Sequence, residues 1–417
     1  MKKKVISVVL CASLGAVLFA GCGNSSDSSS ASTSAETEDT EAAEEAGVAA
    51  DEDTASADSA SEEIAGEAEE EADTEVADQT EASEINIDDL DDVNFTVVTS
   101  YADNAQYGMT VNYFADYLEE HSEGKVTADT YCGGTFCTGP EELEYVNNGA
   151  IDISLTGAQY AVEYLPMASG SIIVSDGYQA VLDAGNDLFF NNEETATALA
   201  NEAAAYNLKA LATYSAFDVC IWSANEGGSW ETLAANNTLG SAAYITTFQA
   251  LGLNTQTVST ADTYESLSRG IVSAASLGLY MGYSSGMNEV SNYITTGHAA
   301  ATAPQLYMNL EKYDSLSEAT QQLLVEAARA SAQYCVDVML EEDQQVLDDC
   351  EAQGITVQEL SDEDNLAYME YAYKGNYEAY LPYAEANGTV DEFNALYEYD
   401  LSVIGSDMTL EDLQAGL

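Results

Sequence analysis

Between Ser315 and Gln353 the chain runs without one Gly or Pro, and its apolar or small residues, Leu323, Ala327, Ser331, Cys335, Met339 and Val346 among them, return every three or four positions. That period is one face of an α-helix. Ser315 and Glu318 read as an S-x-x-E capping box, and Gly354 as the stop. At 1.5 Å per residue the run spans roughly 55 Å, more than one small domain is wide. Such a helix serves two lobes at once or forms a coiled coil. Its seam is too ragged for sustained heptads, which favours two lobes.

The N-terminus predicts export. Lys2, Lys3 and Lys4 precede a short apolar stretch, Val5 to Ala20, that ends in Leu18-Phe19-Ala20-Gly21-Cys22. A membrane span needs ~20 apolar residues, so an anchor helix is not the reading. The stretch resembles the lipobox of bacterial lipoproteins, with Phe19 an unusual choice, which implies a signal peptide over 1–21 and lipidation of Cys22. Residues 22–92 follow as an acidic, Ser/Ala/Thr-rich segment with 26 acids and no Lys or Arg. Nothing in it can build a core, so a disordered tether is expected.

Residues 93–417 are long enough for two lobes. They hold the remaining 48 of 74 acids against six bases: Lys125, Lys209, Arg269, Lys312, Arg329 and Lys374. Like-charge repulsion excludes nucleic acid as a partner. Five cysteines remain beyond Cys11 and Cys22, an odd number without metal-ligand spacing, so no metal site is expected. Cys132 and Cys137 flank Gly133-Gly134 at a spacing that would close a small loop.

The pattern alternates. Phe95–Thr99, Val126–Tyr131 and Ile151–Leu155 read as strands, separated by helices near 105–120 and 140–147. Helices near 178–191 and 193–206 lead to strands at 209–214 and 220–224. Shorter pieces follow: strands at 238–243, 254–258 and 271–277, helices at 246–251 and 262–268, and a strand at 304–309 before the long helix. The tail from Ile355 reads as two or three Tyr-rich helices. Strand and helix in alternation are the rhythm of an α/β lobe.

Four blocks in this order resemble the extracytoplasmic solute-binding proteins of TRAP transporters, the tripartite ATP-independent periplasmic family that includes dicarboxylate binders. They are F-A-D-Y-L-E-E at 114–120 with S-E-G-K-V at 122–126; E-L-E-Y-V-N-N-G-A-I-D-I-S at 142–154 with Tyr164-Leu165-Pro166; A-L-G at 250–252 with T-Y-E-S-L-S-R-G-I-V at 263–272; and Leu306 to Leu310 leading through Tyr313-Asp314-Ser315 into the long helix. The resemblance implies a two-lobed α/β clamshell, like a periplasmic binding protein, with a long inter-lobe helix. Lobe I would take about 93–218 and lobe II about 219–306, each completed by part of the tail. It further implies an extracytoplasmic receptor, held at the bacterial cell membrane by the lipid on Cys22, that closes on a small organic molecule and delivers it to an ion-gradient-driven permease. No cofactor is implied.

The family pattern breaks at the arginine that holds a ligand carboxylate in most relatives. Its position falls at Asn237 to Leu239, and no arginine is there. The pocket is then expected from Tyr101, Asn104, Gln159, Tyr160, Trp222, Asn237, Thr238, Tyr244, Thr260 and Tyr280. Aromatic rings with amides and hydroxyls favour a neutral, aromatic or cationic ligand over a simple dicarboxylate. His121 and His298 are the only histidines, and no nucleophile–base set accompanies them, so no enzyme activity is expected. Two other readings stay open: a ligand-sensing surface lipoprotein without transport, and a binding lipoprotein of an ATP-driven transporter.

Overall fold

The structure, a computed structural model, describes residues 85–171, 177–216, 218–241, 244–259, 262–300 and 303–415. Cys22, nearly all of the 22–92 segment and Thr260 lie outside them.

Five strands form the first sheet, in the order β2-β1-β3-β10-β4: β1 Val93–Val98, β2 Val126–Tyr131, β3 Ile153–Thr156, β4 Leu208–Thr213 and β10 Gln305–Asn309. β1 lies parallel to β2 and β3, whereas β10 runs antiparallel to β3 and β4. Six strands form the second, in the order β11-β9-β5-β8-β6-β7: β5 Asp218–Ser223, β6 Thr238–Ser241, β7 Asn254–Thr257, β8 Ala274–Ser276, β9 Tyr293–Ala300 and β11 Thr356–Glu359. Here β6 is parallel to β7 and β8, and β5 is antiparallel to β8 and β9. The buried runs Phe95-Val97-Val98 and Ile153-Leu155 suit strands covered on both faces.

The chain passes between the sheets twice near these strands, from β4 into β5 and from β9 back into β10. The passages are tied where the Tyr214 amide donates to the Pro304 carbonyl at 3.0 Å. A third link is the long helix, Glu318–Ala352. Leu323, Ala327, Cys335 and Met339 are buried in the core of the first sheet, whereas Val346 and Cys350 are buried in that of the second. One helix therefore belongs to two cores, which explains the ragged stripe. Tyr214, fully buried, also shares a 2.7 Å hydrogen bond with Ser331 of this helix.

Three details differ from the sequence reading. The cap of the long helix is Ser317, which accepts from the Thr320 amide, because Ser315 closes a separate short helix, Leu310–Asp314, by donating to the Lys312 carbonyl. The strand β9 was not foreseen, since Gly297 at its middle reads as a turn. That glycine serves close packing instead: a Cβ there would lie 2.5 Å from Asn365 Oδ1 and 2.8 Å from Val219. β11, likewise unforeseen, pairs parallel with β9 before the tail helices Asp362–Asn387, Val390–Val403 and Leu410–Gln414.

The tail buries Tyr373, Tyr377, Phe393 and Tyr397 against Pro166–Gly170, where Gly170 leaves room for the Tyr397 hydroxyl. Asp400 is buried in the same core, its Oδ2 has no hydrogen-bond partner, and burial pushes its carboxyl well above the ordinary value. A raised folded-state pKa keeps the proton on in the native chain while the unfolded chain loses it. Stability from this group is therefore full below the unfolded pKa and falls as pH rises toward the folded one. We expect the wild-type melting free energy to fall relative to Asp400→Asn by up to about 1.4 kcal/mol per pH unit above pH ~4. Paired thermal melts from pH 4 to 7 check this, and parallel curves for the two proteins would contradict it.

Candidate functional site

The carboxyl ends of β1, β3 and β4 lie side by side, and each ends in a buried hydroxyl: Thr99, Thr156 and Thr213. The buried amide side chain of Gln305 on β10 stands between the last two. Beyond Thr99 the chain turns through Ser100 and Tyr101 into the helix Gln106–His121. The Gly133 amide donates to the Tyr101 carbonyl at 2.6 Å, which holds this turn against the Gly-rich loop. Beyond Thr156 the chain passes Gly157, over which the exposed Gln159 amide folds, to Tyr160. A Cβ on Gly157 would sit 2.1 Å from Gln159 Oε1, so a larger residue there would displace that side chain.

Glu142 closes the floor. It sits on the helix Gly139–Asn147 in the apolar row of Gly139, Leu143 and Val146, with no exposed surface. The Ser154 hydroxyl donates to Glu142 Oε2 at 2.7 Å, while no well-aligned hydrogen bond reaches Glu142 Oε1 or Thr156 Oγ1. Burial raises the Glu142 carboxyl above its ordinary value, partly offset by the hydroxyls of Ser154, Thr156 and Ser100. An acid in the apolar helical row of Gly139, Leu143 and Val146 is the sequence signal for this residue.

Tyr101 stands beside this acid, and two other expected residues, Tyr160 and Tyr244, lie in range of Tyr101. Tyr101 is half-buried and packs edge-on to Tyr107, with ring centroids 4.6 Å apart. Burial raises its phenol, and the neighbouring Tyr160, Glu142 and Tyr244 raise it further. Tyr160 packs beside Gly139 and is 46% exposed, so its ring reaches the rim. Tyr244 comes from the second lobe, just past the carboxyl end of β6, and holds a left-handed backbone with φ of 56°. Such a backbone is strained for a tyrosine.

The other expected residues are placed differently. Trp222 is fully buried in the second lobe; its Nε1–H donates to the Leu277 carbonyl and its ring packs on Gly282. Asn237 and Thr238 stand at the amino end of β6, the end opposite Tyr244. The Asn237 amide donates to the Glu226 carbonyl, and the Thr238 amide to the Ser273 hydroxyl. The strand's direction is the reason: in parallel sheets sites form at carboxyl ends, and the missing-arginine position falls at the other end. Asn104 is exposed in the turn before the helix Gln106–His121. Tyr280 lies further along the long helix, where its amide bonds the Asp343 carboxylate and its phenol is raised by burial and by Glu342.

That stretch of the long helix carries two perturbed acids. Glu342 is pushed up to about 7 by burial and by Asp343, against a lowering contact from the Gln106 amide. Asp343 is pushed up to about 6 by burial and by Asp218, although the Tyr178 hydroxyl donates to it. Asp343 also borders a pocket of about 260 Å³ on the strand passages, lined with Tyr178, Asp218, Cys220, His298 and Glu359 among others. None of the ten expected residues lines it. Cys132 and Cys137 are free thiols, each pushed up to about 11 chiefly by burial. Among the described residues no group of three His, Cys, Asp or Glu side chains is arranged to hold a metal.

No base borders the Glu142 site. Lys125, Lys209 and Lys312 cluster at the amino ends of the first sheet's parallel strands: Lys125 Nζ donates to the Ile87 carbonyl, Lys209 lies over the Tyr313 ring and Lys312 over Phe95. Lys209 is four residues from Thr213, roughly 13 Å along the strand. Arg269 is exposed and paired with Glu265, Arg329 is exposed on the long helix, and Lys374 lies near Asp412 on the tail.

Residues 97–380 match the family described as bacterial extracellular solute-binding protein, family 7. The chain belongs to that family. An uncharacterized protein of Haemophilus influenzae is 30% identical over 114 residues, 27% of this chain and 35% of that one, so the match spans about a third of the relative. A TRAP periplasmic solute-binding protein from Desulfovibrio salexigens with bound orotic acid shares the fold at a TM-score of 0.60 and 19% identity, over 75% of this chain and 99% of that one. The ectoine-binding protein TeaA of the TeaABC TRAP transporter does so at 0.62 and 20%, over 73% and 100%. At such identities the likeness is one of fold: this TRAP-family chain has the two-lobed α/β architecture of extracytoplasmic small-molecule receptors.

The two acids on the long helix give the site region a testable titration. Carbon-detected NMR of carboxyl-labelled protein should show midpoints near 7 for Glu342 and near 6 for Asp343. Asp343→Asn should lower the Glu342 midpoint, because the Asp343 charge raises it. A Glu342 midpoint at the ordinary carboxylate value would show that the stretch is open to water.

Proposed function

We propose that this chain is a lipid-anchored extracytoplasmic receptor that binds a small organic molecule between its lobes and hands it to a TRAP permease. In this reading residues 1–21 are removed as a signal peptide, Cys22 carries the lipid, and the acidic segment to residue 92 tethers a binding unit of residues 93–417. Lobe I takes about 93–218, lobe II about 219–306, and the tail is shared. The protein binds rather than catalyses. The tether raises the receptor's local concentration at the permease. Among the described residues no helix is long and apolar enough to cross a membrane, which fits an anchor supplied by lipid.

The observation that carries the ligand class is the distribution of charge. Tyr101 stands by Glu142 and in range of Tyr160 and Tyr244, and the six bases of residues 93–417 lie elsewhere. A dicarboxylate would meet desolvated negative charge without a compensating cation, which is costly. A neutral, aromatic or cationic molecule would meet rings, hydroxyls and amides that suit it. Gln159 at the rim and Tyr280 toward Glu342 extend that surface.

Two experiments test this. Thermal-shift screening of the full chain in detergent should show stabilisation by neutral, aromatic or amine compounds and none by C4-dicarboxylates; at a ligand concentration 100-fold above Kd the gain is about 2.7 kcal/mol. Stabilisation by dicarboxylates alone would reverse the ligand assignment. Separately, cells fed radiolabelled palmitate should label the wild-type protein and leave Cys22→Ser unlabelled, whereas equal labelling of both would remove the lipid anchor.

A further inference from the structure

We infer that the ligand carries a positively charged nitrogen, and that Glu142 is the residue that recognises it. The inference rests on the receptor reading above and narrows its ligand class. Glu142 is a fully buried acid at the carboxyl edge of the first sheet, set among the apolar residues of its helix. Its Oε2 accepts from the Ser154 hydroxyl, and Ser100 and Thr156 also lower the carboxyl, but no well-aligned hydrogen bond reaches Oε1 or Thr156 Oγ1 at the end of β3. A carboxylate with one open oxygen and an adjacent hydroxyl is a hydrogen-bond acceptor set for an ammonium or guanidinium donor.

The surroundings point the same way. Tyr101 lies within electrostatic range of Tyr160 on its own lobe, of Tyr244 on the other and of Glu142, and tyrosine faces attract cations. Tyr244 reaches this set from the second lobe, with a left-handed backbone of φ 56°. Gly139 permits the approach of Tyr160: a Cβ there would lie 3.1 Å from Ser100 Oγ and 3.4 Å from the Tyr160 ring. At long range, 48 acids against six bases over residues 93–417 give a field that draws cations in and turns anions away.

A hydroxylated neutral solute would also find acceptors here, so the test separates ligands by charge at constant shape. Isothermal titration of the full chain would use matched sets of amine, alcohol and carboxylate: tyramine, 4-hydroxyphenethyl alcohol and 4-hydroxyphenylacetate as the aromatic set, and 1,4-diaminobutane, 1,4-butanediol and succinate as the aliphatic one, with choline added as a quaternary ion. At least one cation should bind tenfold or more tightly than its neutral and anionic analogues. Glu142→Gln should weaken that cation tenfold or more, and Glu141→Gln, an exposed neighbour on the same helix, should leave it unchanged. The wild-type charge series decides the matter even if the Glu142 variant folds poorly. Alcohols or carboxylates binding as tightly as the amines would overturn the cation assignment and leave the receptor reading standing. Full cation affinity in a folded Glu142→Gln protein would overturn the role of Glu142. If no compound of any charge binds, the receptor reading falls and this inference falls with it.

Discussion

The structure depends on one helix being buried in two cores. Between Leu323 and Met339 the long helix fills the first lobe's core with small and aliphatic side chains, and at Val346 and Cys350 it enters the second. Neither lobe can lose it without opening a cavity, and truncating one such buried aliphatic costs about 2–5 kcal/mol. The short stretch between the two buried segments is where the helix changes partner. Leu340 is 53% exposed there, and Glu342 and Asp343 lie half-buried beside the strand passages. The raised carboxyls of this stretch thus follow from the architecture, since a helix that leaves one core before entering the next carries its polar residues into the seam.

Charge placement follows a similar logic. The first lobe keeps its three lysines at the amino ends of its parallel strands, where Lys125 also satisfies the Ile87 carbonyl of the segment leading into β1. The opposite, carboxyl end holds hydroxyls, tyrosines and one buried acid. Parallel strands give the two ends different jobs, because loops at the carboxyl end converge while those at the amino end tie the chain together. In a chain with so few bases, such segregation sets the sign of the potential at the site almost by itself.

Much of this was legible in the sequence, for identifiable reasons. The long helix announced itself through period and the absence of breakers, and most strands of both lobes through short β-branched runs between turn residues. Tyr101, Tyr160 and Tyr244 each follow the end of a strand, and the fold brings the last two into range of Tyr101. Where the reading failed, the residue's role was set by distant chain. Gly297 looks like a turn until Asn365, 68 positions later, is seen to need its space. Trp222 looks like a ligand platform until Gly282 and the Leu277 carbonyl enclose it. Asn237 and Thr238 were reached by matching a family position, and the match could not show which end of β6 would face the other lobe.

Glu142 is the sharpest case of a local rule broken. Its helix would pack more favourably with an apolar residue at that position, since a buried carboxylate costs several kcal/mol unless it is paired. The protein supplies one well-formed hydroxyl bond to one oxygen and none to the other, with Ser100 and Thr156 close enough only to temper its charge. In the proposed reading, such an arrangement would lower stability in the empty receptor and return the difference when a donor with positive charge arrives, which would make closure depend on the ligand. Tyr244, strained in its backbone and contributed by the opposite lobe, fits the same scheme. On that reading the cost at each lobe would be offset only when both lobes meet around one bound molecule, so that recognition and closure would be a single event.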